Sequence, residues 1–302
     1  MKKVFFLLVL SLSVSTSLYT DLYAEVKDRT AHKKTEITCP EKFLNNPPLY
    51  FYCIYSDYHN HKFDSGIEKA EKALREIEPL YRKNPGAKVP NAKVGDARLK
   101  DDRVYKVKSD LHMLLGMLYF KKAMNLKSSE EKKTFIEFEK KLEKKGFNYF
   151  ETAELMNLYI MKKLFPEAFN EKQKEIYSKL LKRAGISERE LDRLYEETRK
   201  EEEKVEEERY SFISKAMKEF QTAVKIDPDN AVAYYQMGNL LSGISEESAG
   251  EDSEVAEEAY YKAALILKRK GDKTGYKEVV KKLKLLNPES RYLKLLKGKK
   301  DA

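Results

Sequence analysis

Tryptophan is absent from the 302-residue chain, histidine appears four times, cysteine twice, and glycine and proline together supply only 21 residues. So few turn-formers exclude collagen-like and flexible-linker architectures, and they argue against all-β folds, which turn about every 8 to 12 residues. Histidine and cysteine are too sparse for a recognisable metal site: there is no H-E-x-x-H, no closely spaced Cys pair and no C-x-x-C-H. G-x-S-x-G is missing as well. The chain is therefore read as a non-enzyme with no catalytic residue, no cofactor and no metal. A hydrolase of cell-wall polymers is the weakest of the functions considered. No apolar run reaches the roughly 20 residues that span a bilayer.

What is abundant is charge. Charged residues make up 36% of the chain and hydrophobic ones 41%, with 59 Lys and Arg against 50 Asp and Glu, a net of +9. Lys, Glu, Leu and Ala with little Gly or Pro predict an all-α fold. Lys2 and Lys3 precede an apolar run from Val4 to Val14, the pattern of a secretory signal peptide over residues 1–24. Cleavage is expected after Ser17 or Ala24. No Cys follows the run closely, which argues against a lipoprotein anchor. The expected location is the periplasm, cell envelope or exterior, and nucleic acid is not an expected partner.

Cys39 and Cys53 then read as a disulfide in an oxidising compartment, stabilising by about 3 kcal/mol in the chain-entropy model. Metal binding with His59 and His61 is disfavoured, because 13 residues separate the two cysteines. Pro47-Pro48 lies inside the closed loop, so residues 25–62 are expected to be irregular.

From residue 63 to 187 the apolar spacing predicts successive helices. Ser65 is expected to cap the first and Pro79 to end or kink it. Ser128-x-x-Glu131 and Ser187-x-x-Glu190 are capping-box patterns, and Gly146 and Gly185 suit helix ends. Glu188 to Arg209 carries 11 acidic and 6 basic residues, which predicts a long solvated helix over 188–210.

The most specific signal lies in residues 211–302. Ala216, Phe220, Ala223 and Pro228 stand at i, i+4, i+7 and i+12. Tyr234, Met237-Gly238 and Leu241 come next, in a second helical pattern. These residues resemble the second and first helices of a tetratricopeptide (TPR) repeat. Leu115-Gly116-x-x-Tyr119 and residues 66–85 echo the pattern more faintly. After Ser242 two frames fit: one with Ala256, Tyr260 and Ala263 as a second helix, the other running from Glu257 to Ser290.

The resemblance implies antiparallel helical hairpins stacked as a solenoid, and a scaffold that holds a protein or peptide partner in a concave groove. By the same resemblance the groove residues are Val232, Tyr235, Asn239 and Ser242. Tyr235 and Asn239 are then expected to be partly exposed, and Tyr234, Met237 and Gly238 to be buried. A separate reading comes from charge. Tyr261 to Ala302 holds 14 basic and 4 acidic residues, which suits an anionic membrane surface or polymer.

Overall fold

The computed structural model describes residues 38–90, 103–126, 133–245 and 251–298. The expected signal peptide, the Ser128–Glu131 pair and the terminal Lys299-Lys300 lie outside them. Among the described residues the chain is helical and no strand forms. It divides into two units, one made of residues up to Ala123 and from Phe212 onward, the other of Met124–Ser211.

The first unit begins at the Cys39–Cys53 disulfide, with Cα atoms 6.0 Å apart. Residues 43–59 are almost wholly helical, contrary to the irregular segment expected there; residues 25–37 of that segment lie outside the described residues. A 3-10 turn, Phe43–Asn45, leads into α1, Pro47–His59. Pro47 and Pro48 occupy the first two helical positions, where a missing N–H costs nothing. Asn46 caps the end by accepting the Leu49 N–H at 3.2 Å. The prolines start a helix here rather than preventing one.

In α2, Phe63–Lys83, Ser65 lies inside the helix and is not its cap. Its hydroxyl donates to Asp57 of α1 at 2.8 Å, and Lys69 reaches the same carboxylate. Pro79 does not end the helix, which continues to Lys83. The hairpin buries Phe43, Phe51, Ile54, Ala70, Ala73 and Ile77.

Helix α3, Val104–Asn125, packs on α2 through a Lys108–Glu78 ion pair at 2.6 Å and a Tyr119 hydroxyl that donates to Glu71 at 2.9 Å. Its other neighbour is the last part of α7, a 39-residue helix over Glu188–Ile226. A Cβ placed on Gly116 of α3 would sit 2.6 Å from the Phe220 ring. Phe220 is fully buried and fills the groove that the glycine leaves.

The next pair repeats this contact. Helix α8, Ala231–Ser245, presents Gly238, and Tyr260 of α9, Glu251–Arg269, lies over it at the same 2.6 Å. Gly116 and Gly238 are 122 positions apart. The second unit occupies 88 of them, which leaves 34, the length of one tetratricopeptide repeat. The Leu115-Gly116 echo thus lies on a helix whose hairpin partner is the part of α7 from Phe212 onward, at the spacing of the repeat that the sequence resembles. An 88-residue helical unit is spliced into the turn between them. Its entry and exit stay close in space: Tyr119 and Phe212 stack with centroids 6.1 Å apart, and Lys122 lies over the Phe212 ring at 4.5 Å.

Both frames proposed after Ser242 describe real contacts. Tyr260 of α9 fills Gly238 of α8, so α9 is a second helix to α8. It is also a first helix to α10, Lys273–Leu286, which precedes the short α11, Arg291–Gly298. At the α10–α11 turn, Ser290 donates to the buried Glu257 of α9 at 2.5 Å. Asn230 of the α7–α8 turn donates in the same way to Ser109 of α3, at 2.9 Å. Tyr260, Ala263, Ala264, Val279, Leu283, Tyr292 and Leu296 join in one core.

The second unit holds α4, Lys133–Glu143; α5, Tyr149–Leu164; α6, Glu171–Ala184; and the first part of α7. Capping boxes start α5 and α6 at Asn148 and Asn170, and Gly146 and Gly185 take positive φ as expected. Its core joins Phe138, Leu142, Leu155, Tyr159, Tyr177 and Leu180 with Leu191 and Leu194 of α7. The acidic stretch 188–210 is therefore neither a separate helix nor wholly solvated. It is the first half of α7, with Leu191, Leu194 and Val205 buried and its carboxylates holding lysines of α4 and α5.

The interlock and the insertion can each be tested. Gly116→Val should cost about 3 kcal/mol, because the added side chain drives into a buried ring. Phe220→Leu in the same chain should return part of that loss, which denaturant melts of the double-mutant cycle will measure. Excising residues 124–211 and joining Ala123 to Phe212 through a short Gly-Ser turn should leave a cooperatively melting helical protein. A non-cooperative melt would refute the spliced-repeat reading.

Candidate partner-binding face

The four groove positions lie on α8 at i, i+3, i+7 and i+10, one face of the helix. Their surroundings differ from those expected. No residue of α8 from Ala231 to Gly243 is exposed, because the helix lies inside the stack. Val232, Asn239 and Ser242 are half-buried, whereas Tyr235 is only 5% exposed. Its ring tilts against Tyr260 with centroids 5.9 Å apart and belongs to the α9–α10 core. Burial raises the Tyr235 phenol to about 12.

Tyr234 and Met237 are half-buried rather than buried, and Lys262 lies over the Tyr234 ring at 5.7 Å. Gly238 is buried as expected. Judged on an ideal helix, Tyr234 points into the hairpin and Tyr235 out of it. Tyr235 instead packs its ring against Tyr260, the ring that lies over Gly238.

Asn239 and Ser242 are tied to the same ring. The Tyr260 hydroxyl donates to Asn239 Oδ1 at 2.9 Å, and Asn239 Nδ2 donates to Gln236 Oε1 at 3.2 Å. Ser242 donates to the Asn239 carbonyl at 3.0 Å and lies 3.2 Å from the Tyr260 hydroxyl. The structure thus brings Tyr235, Asn239 and Ser242 together around Tyr260. Val232 stands one turn or more away, with a half-buried apolar surface. This network can offer a partner oriented amide and hydroxyl groups, pre-set by a buried phenol.

A second polar cluster lies at the other end of α8, and the sequence reading did not include it. Asp110 of α3 occupies the position that Val232 holds in α8, 122 residues on. Asn230 Nδ2 donates to Asp110 Oδ1 at 3.2 Å as well as to Ser109. Ser109 in turn donates to the Ala223 carbonyl at 2.9 Å. Asp227 stands close enough for its charge to be felt, and Lys106 and Lys270 oppose it. Arg269 and Lys270 bind Asp229 on the outer side of the turn. Burial, reinforced by Asp227, raises the Asp110 carboxyl to about 7. A legible clue existed in the 34-residue register that places Asp110 on the groove face, but it needed the insertion to be recognised first.

A family model described as the TPR repeat matches residues 213–243, the end of α7 and most of α8. No curated protein and no solved structure matches the chain. The matched segment pairs a second helix with the following first helix, so it spans the junction between two of the hairpins above. Repeats of this family commonly mediate protein–protein interaction, and the match points to an interaction scaffold.

The Asp110 shift has a sign that can be measured. Its folded pKa lies above the ordinary 3.8, so the folded chain holds the proton more tightly. Stability from this group is full below about pH 4 and lost as pH rises towards and past about 7. Asp110→Asn should melt at a higher temperature than the parent at pH 8, and the gap should close towards pH 4. Parallel melting curves across that range would show that Asp110 is not held protonated.

Proposed function

We propose that this chain is an exported helical-repeat adaptor that binds a protein or peptide partner over the face carrying Val232, Tyr235, Asn239 and Ser242. The observation that carries the reading is the tandem glycine–aromatic interlock, Gly116 with Phe220 and Gly238 with Tyr260. It stacks hairpins at the repeat's own spacing, and two of its four residues, Phe220 and Gly238, lie in the segment that the TPR model matches. Stacked hairpins of this kind offer extended binding surfaces. In this reading Val232, Asn239 and Ser242 touch the partner. Tyr235 acts from beneath, as packed support for the Tyr260 network. Export is supported by the Cys39–Cys53 bridge, since such bonds persist in oxidising compartments, and by the signal-like N-terminus.

A photo-reactive phenylalanine at Val232 or Ser242 should give a discrete crosslinked species in the native envelope fraction. The same group at the exposed Lys172 of α6 should not. Asn239→Ala should weaken recovery of that species, while Tyr235→Ala should lower the melting temperature first. Identical adduct patterns from all three positions would refute a binding face on α8.

A further inference from the structure

Among the described residues, the lysines of the second unit and those of α10 differ in how they are matched. In the second unit many are matched to carboxylates: Lys141 with Glu190, Lys162 with Glu188, Lys163 with Asp192 and Glu196, Lys174 with Glu171, and Lys179 with Glu175. On α10 the pattern is different. Lys273, Lys277, Lys281 and Lys284 are exposed, and none forms an ion pair among the described residues. Their spacing of four, four and three places them on one face of the helix.

Thr274 and Leu285 complete that face, and Leu285 is 71% exposed. The one carboxylate of α10, Glu278, lies beside the strip, half-buried, where its charge is felt by Tyr235 and Lys282. The opposite face is fixed: Val279 and Leu283 are buried in the core shared with α9. The strip is therefore a firm, outward cationic surface with an exposed leucine at its edge. The neighbouring α11 adds an exposed Lys294 beside a half-exposed Leu295.

We propose that this strip of α10 docks on a bilayer surface bearing anionic headgroups. Four unmatched ammonium groups supply charge complementarity to such a surface, and long lysine stems let the leucine approach the acyl boundary while the charges stay at headgroup level. An acidic polypeptide would satisfy the lysines but would leave Leu285 in water; a bilayer takes both. The contact is peripheral, since no helix among the described residues is long and apolar enough to cross a membrane. The proposal is independent of the α8 reading, because no α8 residue takes part in it.

The test uses the full chain and sedimentation with large vesicles of phosphatidylcholine alone or with 30% phosphatidylglycerol. The protein should bind only the anionic vesicles and should release in half-molar salt. A basic residue near an anionic surface contributes about fivefold in partition. The triple Lys277→Ala, Lys281→Ala, Lys284→Ala should therefore bind on the order of 100-fold more weakly. A control triple on α6, Lys172→Ala, Lys179→Ala, Lys182→Ala, removes the same charge and should lose severalfold at most. Leu285→Ala should bind severalfold more weakly with an unchanged melting temperature. Equal losses from the two triples would overturn the proposal, since binding would then follow net charge alone. Absence of vesicle binding would overturn it too. So would binding of poly-glutamate, in place of vesicles, that depends on the α10 lysines.

Discussion

An aromatic ring seated on a glycine is the contact on which the stack depends. Helix axes approach closely only where a side chain is missing, and the groove left behind must be filled. Phe220 fills it over Gly116 and Tyr260 fills it over Gly238. Because each ring belongs to a different helix from its glycine, each contact joins two helices of a hairpin. The Asn230 and Ser290 side chains, reaching back to Ser109 and Glu257, then set the next helix against the last. Tyr260 has a further duty that Phe220 lacks. Its hydroxyl reaches past Gly238 along α8 and holds Asn239, so the core contact of this hairpin also orders its candidate binding face.

The same contact explains how an 88-residue insertion is accommodated. A repeat is defined by how its two helices pack, not by the length of the turn that joins them, and loop-closure entropy grows only slowly with length. Tyr119, Lys122 and Phe212 keep the two ends together. The inserted unit brings its own core and its own caps.

Much of this was legible from the residues alone, and the failures have identifiable causes. Ala216, Phe220, Ala223 and Pro228 stand close together, so local spacing disclosed their helix, and the Cys39–Cys53 bridge was inferred from an isolated pair. The partner of Phe220 was hidden because Gly116 precedes it by 104 positions, where no local period reaches. Pro47-Pro48 argues against helix only if it falls in a helix interior; at a helix start proline removes only an N–H that has no partner there. Tyr235 was placed outward because an ideal helix wheel has no side-chain volume. Its contact with Tyr260 belongs to two helices together, and no one-helix projection contains it. Asp110 escaped notice for the same reason as Gly116.

Net charge, finally, is a poor description of this protein until it is placed. The acidic first half of α7 belongs to the second unit, and its carboxylates at Glu188, Glu190, Asp192 and Glu196 engage Lys141, Lys162 and Lys163 there. Pairs of that kind at the surface contribute little to stability, but they neutralise locally and are screened together. The excess of +9 is thus not spread evenly over the molecule. It is concentrated where carboxylates are scarce, and α10 has a single one among its 14 residues. A strip that is unmatched within its own chain retains its field at the surface, which is the physical basis of the docking proposed for α10. The cationic face of α10 and the candidate face of α8 are therefore carried by different helices and share no residue.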